Sequence, residues 1–302
     1  MVSRFSSIDH LHMAHALRLA ERGAYTTKPN PMVGCVIAHG EEIVGEGFHQ
    51  RAGEAHAEVF ALQTAGERAK GATAYVTLEP CAHTGRTGPC ADALIAAGIT
   101  RVVAAMRDPF PQVDGAGFDR LRVADIKVES GLMEAQARQL NRGFLSRVER
   151  GRPWVRIKLG TSLDGRTAMA NGESKWITGA ASRQDVQQWR ARSGALLTGA
   201  NTVLLDDPSL TVRLGDDTPF VPPLRVVLDA GLATVARGKV RDASAPTLYL
   251  HAPDAKPPRE LEVQRAVAPV NAGRFDLGAV LTLLAEREIN EVQVEAGATL
   301  AG

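Results

Sequence analysis

Two cysteines, Cys81 and Cys90, flank a glycine-rich loop that directly follows an apolar run at residues 72–78. The run predicts a buried strand. A His-Ala-Glu sequence from His56 to Glu58 lies upstream. Imidazole nitrogens and thiolates are zinc ligands, and a site with three protein ligands leaves its fourth tetrahedral position open. The pattern therefore predicts a catalytic zinc site formed by His56, Cys81 and Cys90.

Glu58 is predicted to act on protons at this site rather than to bind the metal. Zinc lowers the pKa of a coordinated water toward ~7, which supplies hydroxide near neutral pH. Two thiolates cancel the charge of the dication, so the site can accept a neutral heterocycle. Residues i and i+2 do not share a helix face, so we expect His56 at the start of a helix that borders the pocket. Cys90 is also expected to open a helix, whose dipole favours the thiolate.

Length and charge limit the classes of function. The chain has 302 residues, which predicts two domains, and 44% of them are hydrophobic, which is enough for a packed core. The net charge of +1 argues against a nucleic-acid partner or a polybasic membrane patch. No apolar run approaches the ~18–20 residues of a membrane span, and no signal peptide is evident. Three cysteines do not form a disulfide framework, so we expect a cytoplasmic protein.

The first half, residues 1–150, is predicted to be a mixed α/β domain in which strands and helices alternate after an initial hairpin. Asp9 is expected to cap the first helix. Three histidines on that helix are expected at the surface or its boundary, namely His10, His12 and His15. The predicted strands are 33–38, 43–49, 72–78, 101–106 and 126–128, and the later predicted helices are 55–65, 91–97 and 133–149.

A rigid turn precedes the first strand. Pro29 and Pro31 flank Asn30 and hold its amide in one orientation, so Asn30 could read the edge of a base. The alternative interpretation is that Asn30 only forms part of the turn and binds no ligand. Cys35 lies inside the apolar strand that follows and is expected to be a core residue.

The second half, residues 151–302, begins where a Gly-Arg-Pro sequence interrupts the alternation of predicted strands and helices. No G-x-G-x-x-G follows a strand, so the sequence gives no support for a Rossmann cofactor site. The predicted strands are 154–159, 195–199, 224–229, 246–250 and 291–295, the predicted helices are 180–193 and 276–287, and the predicted loops are 213–223 and 252–259.

The long loop between the cysteines identifies a family. Residues 80–90 (PCAHTGRTGPC) and 29–34 (PNPMVG) closely resemble the deaminase half of the bifunctional riboflavin-biosynthesis deaminase/reductases. The second half contains matching segments at 158–168, 172–178, 199–208 and 294–297. The chain departs from the general zinc deaminase pattern, H-x-E with P-C-x-x-C, because eight residues separate its two cysteines. It departs from the family at Phe110, where asparagine is common, in a loop expected to continue through Phe118.

The resemblance implies a cytidine-deaminase-like three-layer domain followed by a dihydrofolate-reductase-like domain. In the family, the first domain converts 2,5-diamino-6-(5-phosphoribosylamino)pyrimidin-4(3H)-one to 5-amino-6-(5-phosphoribosylamino)uracil by hydrolytic deamination. The second domain uses NADPH to reduce the ribosyl group to ribityl. The resemblance also implies one zinc ion per chain and a homo-oligomer, a dimer or larger. The family continues beyond the segment at 294–297, so we expect this chain to be truncated at its C-terminus.

Carried over to this sequence, the resemblance assigns a role to each matching residue. It implies His56, Cys81 and Cys90 as zinc ligands, and Glu58 as the group that moves the proton from water to the ring nitrogen and the leaving amine. Residues implied at the deaminase substrate are Asn30, His49, His83 and Arg86. Residues implied near NADPH are Thr161, Trp176, Thr202, Asp206 and Gly297. Residues implied near the reductase substrate are Ser174, Arg190, Leu210, Arg213 and Glu295.

Simpler interpretations stand beside several of these roles. Arg86 suits a phosphate, but it could be a solvated loop charge. Trp176 could be ordinary core and Arg190 a solvated helix face. His83 would supply the fourth ligand if the zinc were structural, although that leaves Glu58 without a role.

Three other functions compete with the bifunctional enzyme. A deaminase whose reductase half is defective or incomplete, and serves as a scaffold, would release ammonia without oxidising NADPH. A polynucleotide deaminase is disfavoured by the near-zero net charge, because phosphate contacts dominate nucleic-acid affinity. A non-catalytic zinc-binding module would not need Glu58.

The substitution Glu58→Gln separates a catalytic from a non-catalytic zinc site. We expect the variant to retain zinc and to lose deamination by about 10²–10⁴-fold, because an amide cannot accept and return the proton. Zinc content by atomic absorption and ammonia release measure the two properties. Unchanged turnover would remove the role given to Glu58.

Overall fold

The computed structural model describes residues 4–83, 88–171, 173–174, 176–215, 217–256 and 263–301. The chain divides into two compact units, Met1–Glu149 and Arg150–Gly302. Each unit has its own sheet and its own hydrophobic core. Within the described ranges, no helix is long and apolar enough to cross a membrane.

The first unit is built on one five-stranded sheet. Its strands are β1 (Gly34–His39), β2 (Glu42–Phe48), β3 (Thr73–Val76), β4 (Arg101–Ala104) and β5 (Lys127–Ser130). Their order in the sheet is β2-β1-β3-β4-β5. The β1–β2 hairpin and the β1–β3 pair are antiparallel, whereas β3, β4 and β5 run parallel. The predicted initial hairpin is present, and helices connect the parallel strands.

Helices cover both faces of this sheet. They are α1 (Ser7–Glu21), α2 (Ala57–Ala65), α3 (Cys90–Ala96), α4 (Ala116–Val123), α5 (Glu134–Leu140) and α6 (Arg142–Arg150), with a 3₁₀ turn at Gly66–Ala69. Successive strand residues point to opposite faces. On β1, Val36 and Ala38 pack in one apolar cluster with α1 and α5, and Ile37 packs in another with α2, α3 and α4. The predicted three-layer α/β architecture is confirmed, and Cys35 is a fully buried core residue as expected.

Two predictions about the first helix were wrong. Ser6, not Asp9, caps α1: the Ser6 hydroxyl accepts from the Asp9 amide at 3.1 Å, and the Asp9 carboxylate accepts from the Ser6 amide at 2.9 Å. This reciprocal pair is a capping box, which puts Asp9 three residues inside the helix. His12 is buried rather than at the surface, and its Nε2 lies 2.8 Å from the carbonyl oxygen of Gly40.

The predicted helix 133–149 is two helices, α5 and α6, which meet at Asn141. The Asn141 side chain accepts from the Met32 amide and donates to the Met32 carbonyl, both at 2.8 Å. These two buried hydrogen bonds hold Asn141 against the turn before β1, which explains why the helix is interrupted at this residue. The loop expected to continue through Phe118 is instead helical from Ala116 onward, and Phe118 is buried in the core.

The second unit contains a six-stranded parallel sheet. Strands in this unit are β6 (Trp154–Ile157), β7 (Ala195–Gly199), β8 (Leu224–Leu228), β9 (Thr247–His251), β10 (Gln264–Val267), β11 (Val270–Asn271), β12 (Arg274–Phe275) and β13 (Glu291–Val294). The sheet order is β10-β9-β8-β7-β13-β6, while β11 and β12 form a separate small hairpin. Every strand pair in the large sheet is parallel. The five strands predicted here are present, and β10 to β12 were missed because they are short and polar.

The helices of the second unit are α7 (Ala180–Arg192), α8 (Ala200–Asp206), α9 (Leu277–Glu286) and α10 (Ala298–Ala301), with a 3₁₀ turn at Lys239–Arg241. Sequence reasoning missed α8 and α10, which are only seven and four residues long. Since β7, β13 and β6 are adjacent and parallel, the segments that leave their carboxyl ends lie along one edge of the sheet. In open α/β sheets this edge is where ligands bind.

Arg225 on β8 carries a buried positive charge in this unit, since its side chain is fully inaccessible. Its guanidinium donates to Thr247 Oγ1 at 2.8 Å, to Asp242 Oδ1 at 2.8 Å and to the Asp242 carbonyl at 2.6 Å. Further bonds reach the carbonyls of Ser209 at 3.2 Å and of Ala245. A buried charge is tolerated only when it is paired and hydrogen-bonded, so this guanidinium ties the surrounding loops to the sheet.

Asp9 links α1 to two strands of the first unit. Its carboxylate accepts from Tyr75 at 2.8 Å and from Arg101 at 2.6 and 3.2 Å, and Arg101 also donates to Glu129 at 2.8 Å. Burial by itself raises the pKa of Asp9, but the hydrogen bonds from Arg101, Ser6 and Tyr75 outweigh it and hold that pKa well below its usual range. The ionised form of Asp9 therefore stabilises the fold.

The substitution Asp9→Asn is expected to lower the free energy of unfolding by about 2–4 kcal/mol near pH 7, because it leaves Arg101 short of a buried partner. The folded pKa of Asp9 is depressed, so its contribution is complete above the unfolded value of ~3.9 and declines as the pH falls below it. The difference in free energy of unfolding between the wild type and the variant, measured by urea titration, should therefore decrease below about pH 4. Asp119→Asn, which breaks an exposed pair with Arg122, is the matched control and should cost less than about 1 kcal/mol. An equal loss for both variants would contradict the prediction.

Candidate zinc site and candidate reductase site

Two helix starts carry the histidine and one cysteine of the predicted zinc site. His56 is the N-cap of α2, with an extended backbone at φ −78° and ψ 167°, and Glu58 lies in the first turn. Cys90 is the first residue of α3, directly after Pro89. Both helices pack in the same apolar cluster on one face of the sheet. The predicted arrangement, with His56 and Cys90 each at the start of a helix, is therefore present.

The three predicted ligand atoms converge. His56 Nδ1 lies 3.2 Å from Cys90 Sγ and 3.5 Å from Cys81 Sγ. All three atoms lie within 4.8 Å of one another. A tetrahedral zinc ion at ~2.0–2.3 Å from each ligand atom needs these atoms roughly 3.5–3.8 Å apart. Donor type and spacing therefore fit zinc.

The two thiols of this trio are not equivalent. A hydrogen bond from the Cys90 thiol lowers the pKa of Cys81 to about 4 against the opposing effect of burial, and hydrogen bonds from His56 and from the Cys90 amide, at 3.4 Å, also favour the thiolate. The same interaction with Cys81, together with burial, raises the pKa of Cys90. Zinc takes both cysteines as thiolates, so metal binding has to displace the thiol proton that remains on this hydrogen-bonded pair.

Glu58 is 3% exposed and its Oε2 has no hydrogen-bond partner among the described residues. Burial raises the pKa of Glu58 to about 7, with the nearby positive charge of His56 acting in the opposite direction. A bound dication would favour the carboxylate further. A buried carboxyl group with one free oxygen and a pKa near neutrality has the properties of a general acid–base.

Asn30 and His49 extend the site away from the metal ligands. Burial lowers the pKa of His49, so this imidazole is neutral at pH 7. Its Nδ1 lies 3.0 Å from the carbonyl oxygen of Ala55, which places the proton on Nδ1, and its Nε2 accepts from Asn30 Nδ2 at 3.0 Å. The rings of His49 and His56 are 5.4 Å apart, edge to face. The chain thus places the Asn30 amide beside the zinc ligands, in a fixed orientation.

The Cys loop holds the two remaining candidates for the deaminase substrate. His83 is half-buried, and its Nδ1 is without a partner in the described part of the chain. Arg86 lies outside the described residues. Within the described ranges, the group of side chains that could share a metal consists of His56, Cys81 and Cys90 and does not include His83.

Sequence reasoning missed Glu79 and Asp108, which lie close to Cys81. The Glu79 carboxylate is buried and accepts hydrogen bonds from the amides of a later segment, including Asp108. Burial raises the pKa of Asp108 to about 6, and its Oδ1 accepts from the Phe110 amide at 2.9 Å. A carboxylate directly before Pro80-Cys81 was visible in the sequence, but nothing local indicated partners roughly 30–40 positions away.

The candidate reductase residues lie in segments that leave the carboxyl ends of β6, β7 and β13 or on elements beside them. Ser174 and Arg213 are exposed, whereas the Leu210 side chain is buried in the core, so only its backbone can reach a ligand. Candidates for the cofactor occupy three such segments: Thr161 and Trp176 follow β6, Thr202 and Asp206 lie on α8 after β7, and Gly297 follows β13. Trp176 is 74% exposed, which excludes the core interpretation, and the Arg183 guanidinium lies 4.4 Å from its ring centroid.

Arg190 and Glu295 form a bidentate pair at this edge. Arg190 Nε and Nη2 donate to the two carboxylate oxygens at 2.6 and 2.7 Å, and Nη1 donates to the Thr211 carbonyl at 2.8 Å. Both side chains are about nine-tenths buried. Burial raises the pKa of Glu295, but the bonds from Arg190 and Gln293 outweigh it and lower that pKa overall. The alternative interpretation, in which Arg190 lies on a solvated helix face, is therefore wrong.

A deaminase-type α/β/α sandwich in which His56 and Cys90 at two helix starts converge with Cys81 beside the buried Glu58 is a zinc-dependent hydrolytic deaminase. The family model "Cytidine and deoxycytidylate deaminase zinc-binding region" matches residues 6–106, and "RibD C-terminal domain" matches residues 153–302. The riboflavin biosynthesis protein RibD of Escherichia coli is 52% identical over 304 residues, which cover 97% of this chain and 83% of that protein. The chain belongs to the RibD family, whose members are bifunctional deaminase/reductases of riboflavin biosynthesis.

Two solved structures support the assignment across both units. Acinetobacter baumannii RibD superimposes with a TM-score of 0.88 at 48% identity, covering 97% of this chain and 82% of its own. A diaminohydroxyphosphoribosylaminopyrimidine deaminase/5-amino-6-(5-phosphoribosylamino)uracil reductase from Thermotoga maritima gives a TM-score of 0.84 at 36% identity, covering 96% and 81%. The predicted fold class and the resemblance to this family are confirmed.

The third cysteine offers a matched control for the zinc site. We expect Cys90→Ala to reduce bound zinc from one ion per chain to below about 0.1 after dialysis, because two ligands seldom retain the metal. Cys35→Ala should keep its zinc, since Cys35 is a core residue of β1 outside the converging trio. Zinc content by mass spectrometry of the purified proteins is the measurement. Zinc retained by Cys90→Ala would contradict the assignment of the ligand.

Proposed function

We propose that this chain deaminates 2,5-diamino-6-(5-phosphoribosylamino)pyrimidin-4(3H)-one hydrolytically and then reduces the ribosyl group of the product with NADPH. The observation that carries the proposal is the convergence of His56, Cys81 and Cys90 beside the unpartnered oxygen of Glu58. The activity given for the Thermotoga maritima relative supports the substrate.

His56, Cys81 and Cys90 hold one zinc ion in this proposal. The zinc, when bound, supplies a water of lowered pKa and thus a nucleophile near neutral pH. His56 binds as neutral imidazole through Nδ1, and both cysteines bind as thiolates. The hydrogen-bonded pair of cysteines loses its remaining thiol proton on binding.

Glu58 moves the protons of the deamination. Its Oε2, without a partner among the described residues, accepts the proton of the attacking water and delivers it to the ring nitrogen. It then accepts the proton of the hydroxyl group added to the ring and delivers it to the amine, which leaves as ammonia. Burial raises the pKa of this carboxyl group and so favours its protonated form, the proton donor, whereas a bound dication favours the carboxylate, the proton acceptor.

Asn30 binds the edge of the pyrimidine. The hydrogen bond from its Nδ2 to His49 Nε2 fixes the amide, which leaves Oδ1 to accept from the ring or its amino group. His49 serves at the same end of the substrate, as the neighbour that orients Asn30. His83 and Arg86 contact the phosphoribosyl group, a role that suits an imidazole with a free Nδ1 and a guanidinium.

The second unit binds NADPH along the carboxyl edge of its parallel sheet. Contacts come from Thr161, Trp176, Thr202, Asp206 and Gly297, and substrate contacts come from Ser174, Arg190, Leu210, Arg213 and Glu295. The Arg190–Glu295 pair compensates its own charges, so we assign it to neutral polar contacts with the substrate. The cofactor carries the hydride, and the chain orients the substrate carbon against it.

Two broader expectations accompany this function and stay predictions. The chain is expected to form a homo-oligomer, a dimer or larger, and to act in the cytoplasm. The functional domains are assigned to residues 1–150 and 151–302.

A coupled assay on the diamino substrate tests the proposal. We expect one ammonia released and one NADPH oxidised per substrate, with ammonia appearing first, because the reductase acts on the deaminated product. Glu58→Gln should be inactive on the diamino substrate by both readouts and should still oxidise NADPH when given the deaminated product. Ammonia without NADPH oxidation would favour a deaminase with a defective reductase half. NADPH oxidation without ammonia would contradict the order of the two reactions.

A further inference from the structure

Glu79 holds a segment that comes about thirty residues later in the chain. Its Oε2 accepts from the amides of Asp108 at 3.2 Å and Gly115 at 3.1 Å, and its Oε1 accepts from those of Gly117 at 3.0 Å and Phe118 at 3.3 Å. The Glu79 side chain is buried. Four backbone N–H donors thus compensate one carboxylate, and two of them belong to the first turn of α4, where the helix dipole also favours a negative charge.

The same helix start touches the backbone next to Cys81. A Cβ atom added to Gly117 would lie 1.8 Å from the Pro80 carbonyl oxygen, which is far inside van der Waals contact. Glycine is therefore required for α4 to approach the residue that precedes the zinc ligand. The carboxylate of Glu79 and the carbonyl of Pro80 fix the helix from two sides.

Because it is held in this way, segment 108–118 forms a wall of the zinc site. Val113 is buried and packs in one small apolar cluster with Cys81 and Cys90, and Phe110 packs against that cluster. An apolar layer over thiolate ligands limits water access and raises the strength of their electrostatic interactions. Glu79 reaches the sulfur atoms indirectly, through the segment that it holds.

A second contact from α4 joins the two ends of the Cys loop. Arg120 donates through Nη1 to the Ala82 carbonyl at 3.2 Å and through Nη2 to Asp92 Oδ2 at 2.7 Å, and its Nε also bonds to Asp92. Ala82 follows Cys81 directly, and Asp92 lies in the first turn of α3, which Cys90 begins. One guanidinium therefore spans the segments that carry the two thiolates.

We propose that Glu79 and Arg120 are positioning residues of the deaminase site, which set the separation of the Cys81 and Cys90 thiolates through α4 without touching metal or substrate. The inference rests on the proposed zinc site. It makes α4 a functional element, whose first turn and preceding loop shape the metal centre. Arg122 on the same helix bonds to Asp119 in its own turn and stacks on Phe118, and no contact with the Cys-loop segments is present among the described residues, so it offers a matched control.

Zinc release to a chromogenic chelator, with the full chain and no substrate, tests the proposal. We expect Glu79→Gln to release zinc about 10–100-fold faster, because its amide nitrogen cannot accept the two N–H bonds of the oxygen it replaces. Arg120→Gln should release zinc several-fold faster, while Arg122→Gln should stay within about twofold of the wild type. The cobalt-substituted variants at positions 79 and 120 should show weakened thiolate-to-cobalt absorption, and their kcat should fall with little change in KM.

Arg120 is exposed, so its variant decides the proposal even if Glu79→Gln does not fold. Zinc release and cobalt absorption of Arg120→Gln equal to those of Arg122→Gln would overturn the proposal. A protein that binds zinc but does not deaminate the diamino substrate would refute the proposed function and leave this test intact, because neither readout uses the substrate.

Discussion

The placement of three ligand atoms within bonding range of one metal ion is the constraint on which the first unit depends. The residues that supply them are 25 and 34 positions apart, counted from His56 to Cys81 and to Cys90. Helices α2 and α3 pack side by side on one face of the sheet, with His56 as the N-cap of α2 and Cys90 as the first residue of α3. The placement of these two candidate ligands is thus a product of helix packing, and any shift between the helices changes their spacing.

Two buried carboxylates near this centre illustrate opposite uses of the same group. Both oxygens of Glu79 are occupied by backbone amides, so its charge is compensated and its position is fixed. Glu58 keeps one oxygen without a partner among the described residues, and burial raises its pKa. Hydrogen bonding of the charged form makes a carboxylate inert, whereas desolvation with a free lone pair makes it reactive. Environment, and not residue type, separates the hydrogen-bonded Glu79 from Glu58, the glutamate that we propose as the proton carrier.

The second unit also contains buried charged side chains that are fixed by hydrogen bonds. Arg225 ties loops to the sheet interior, and Arg190 pairs with Glu295 where β13 ends. Sequence patterns predicted five strands of this sheet, because their segments are rich in apolar and β-branched residues. They missed β10, which begins with the polar pair Gln264 and Arg265, and α8, whose seven residues hold too few helical periods. Helical spacing alone was consistent with Arg190 lying on a solvated helix face. Nothing local indicated otherwise, because its partner Glu295 lies 105 residues away in the sequence.

The sequence by itself determined the chemistry of the first unit. Its ligand types, the His-Ala-Glu spacing and the cysteine loop predicted the zinc trio and the proton carrier, and strand patterns predicted the three layers. The family followed from motifs in both halves. Only the tertiary structure decided that His12 is buried and that Glu79 holds segment 108–118. The physical reason is range: ligand chemistry and periodicity are local properties of the chain, whereas burial and hydrogen-bond partners are set by residues distant in sequence.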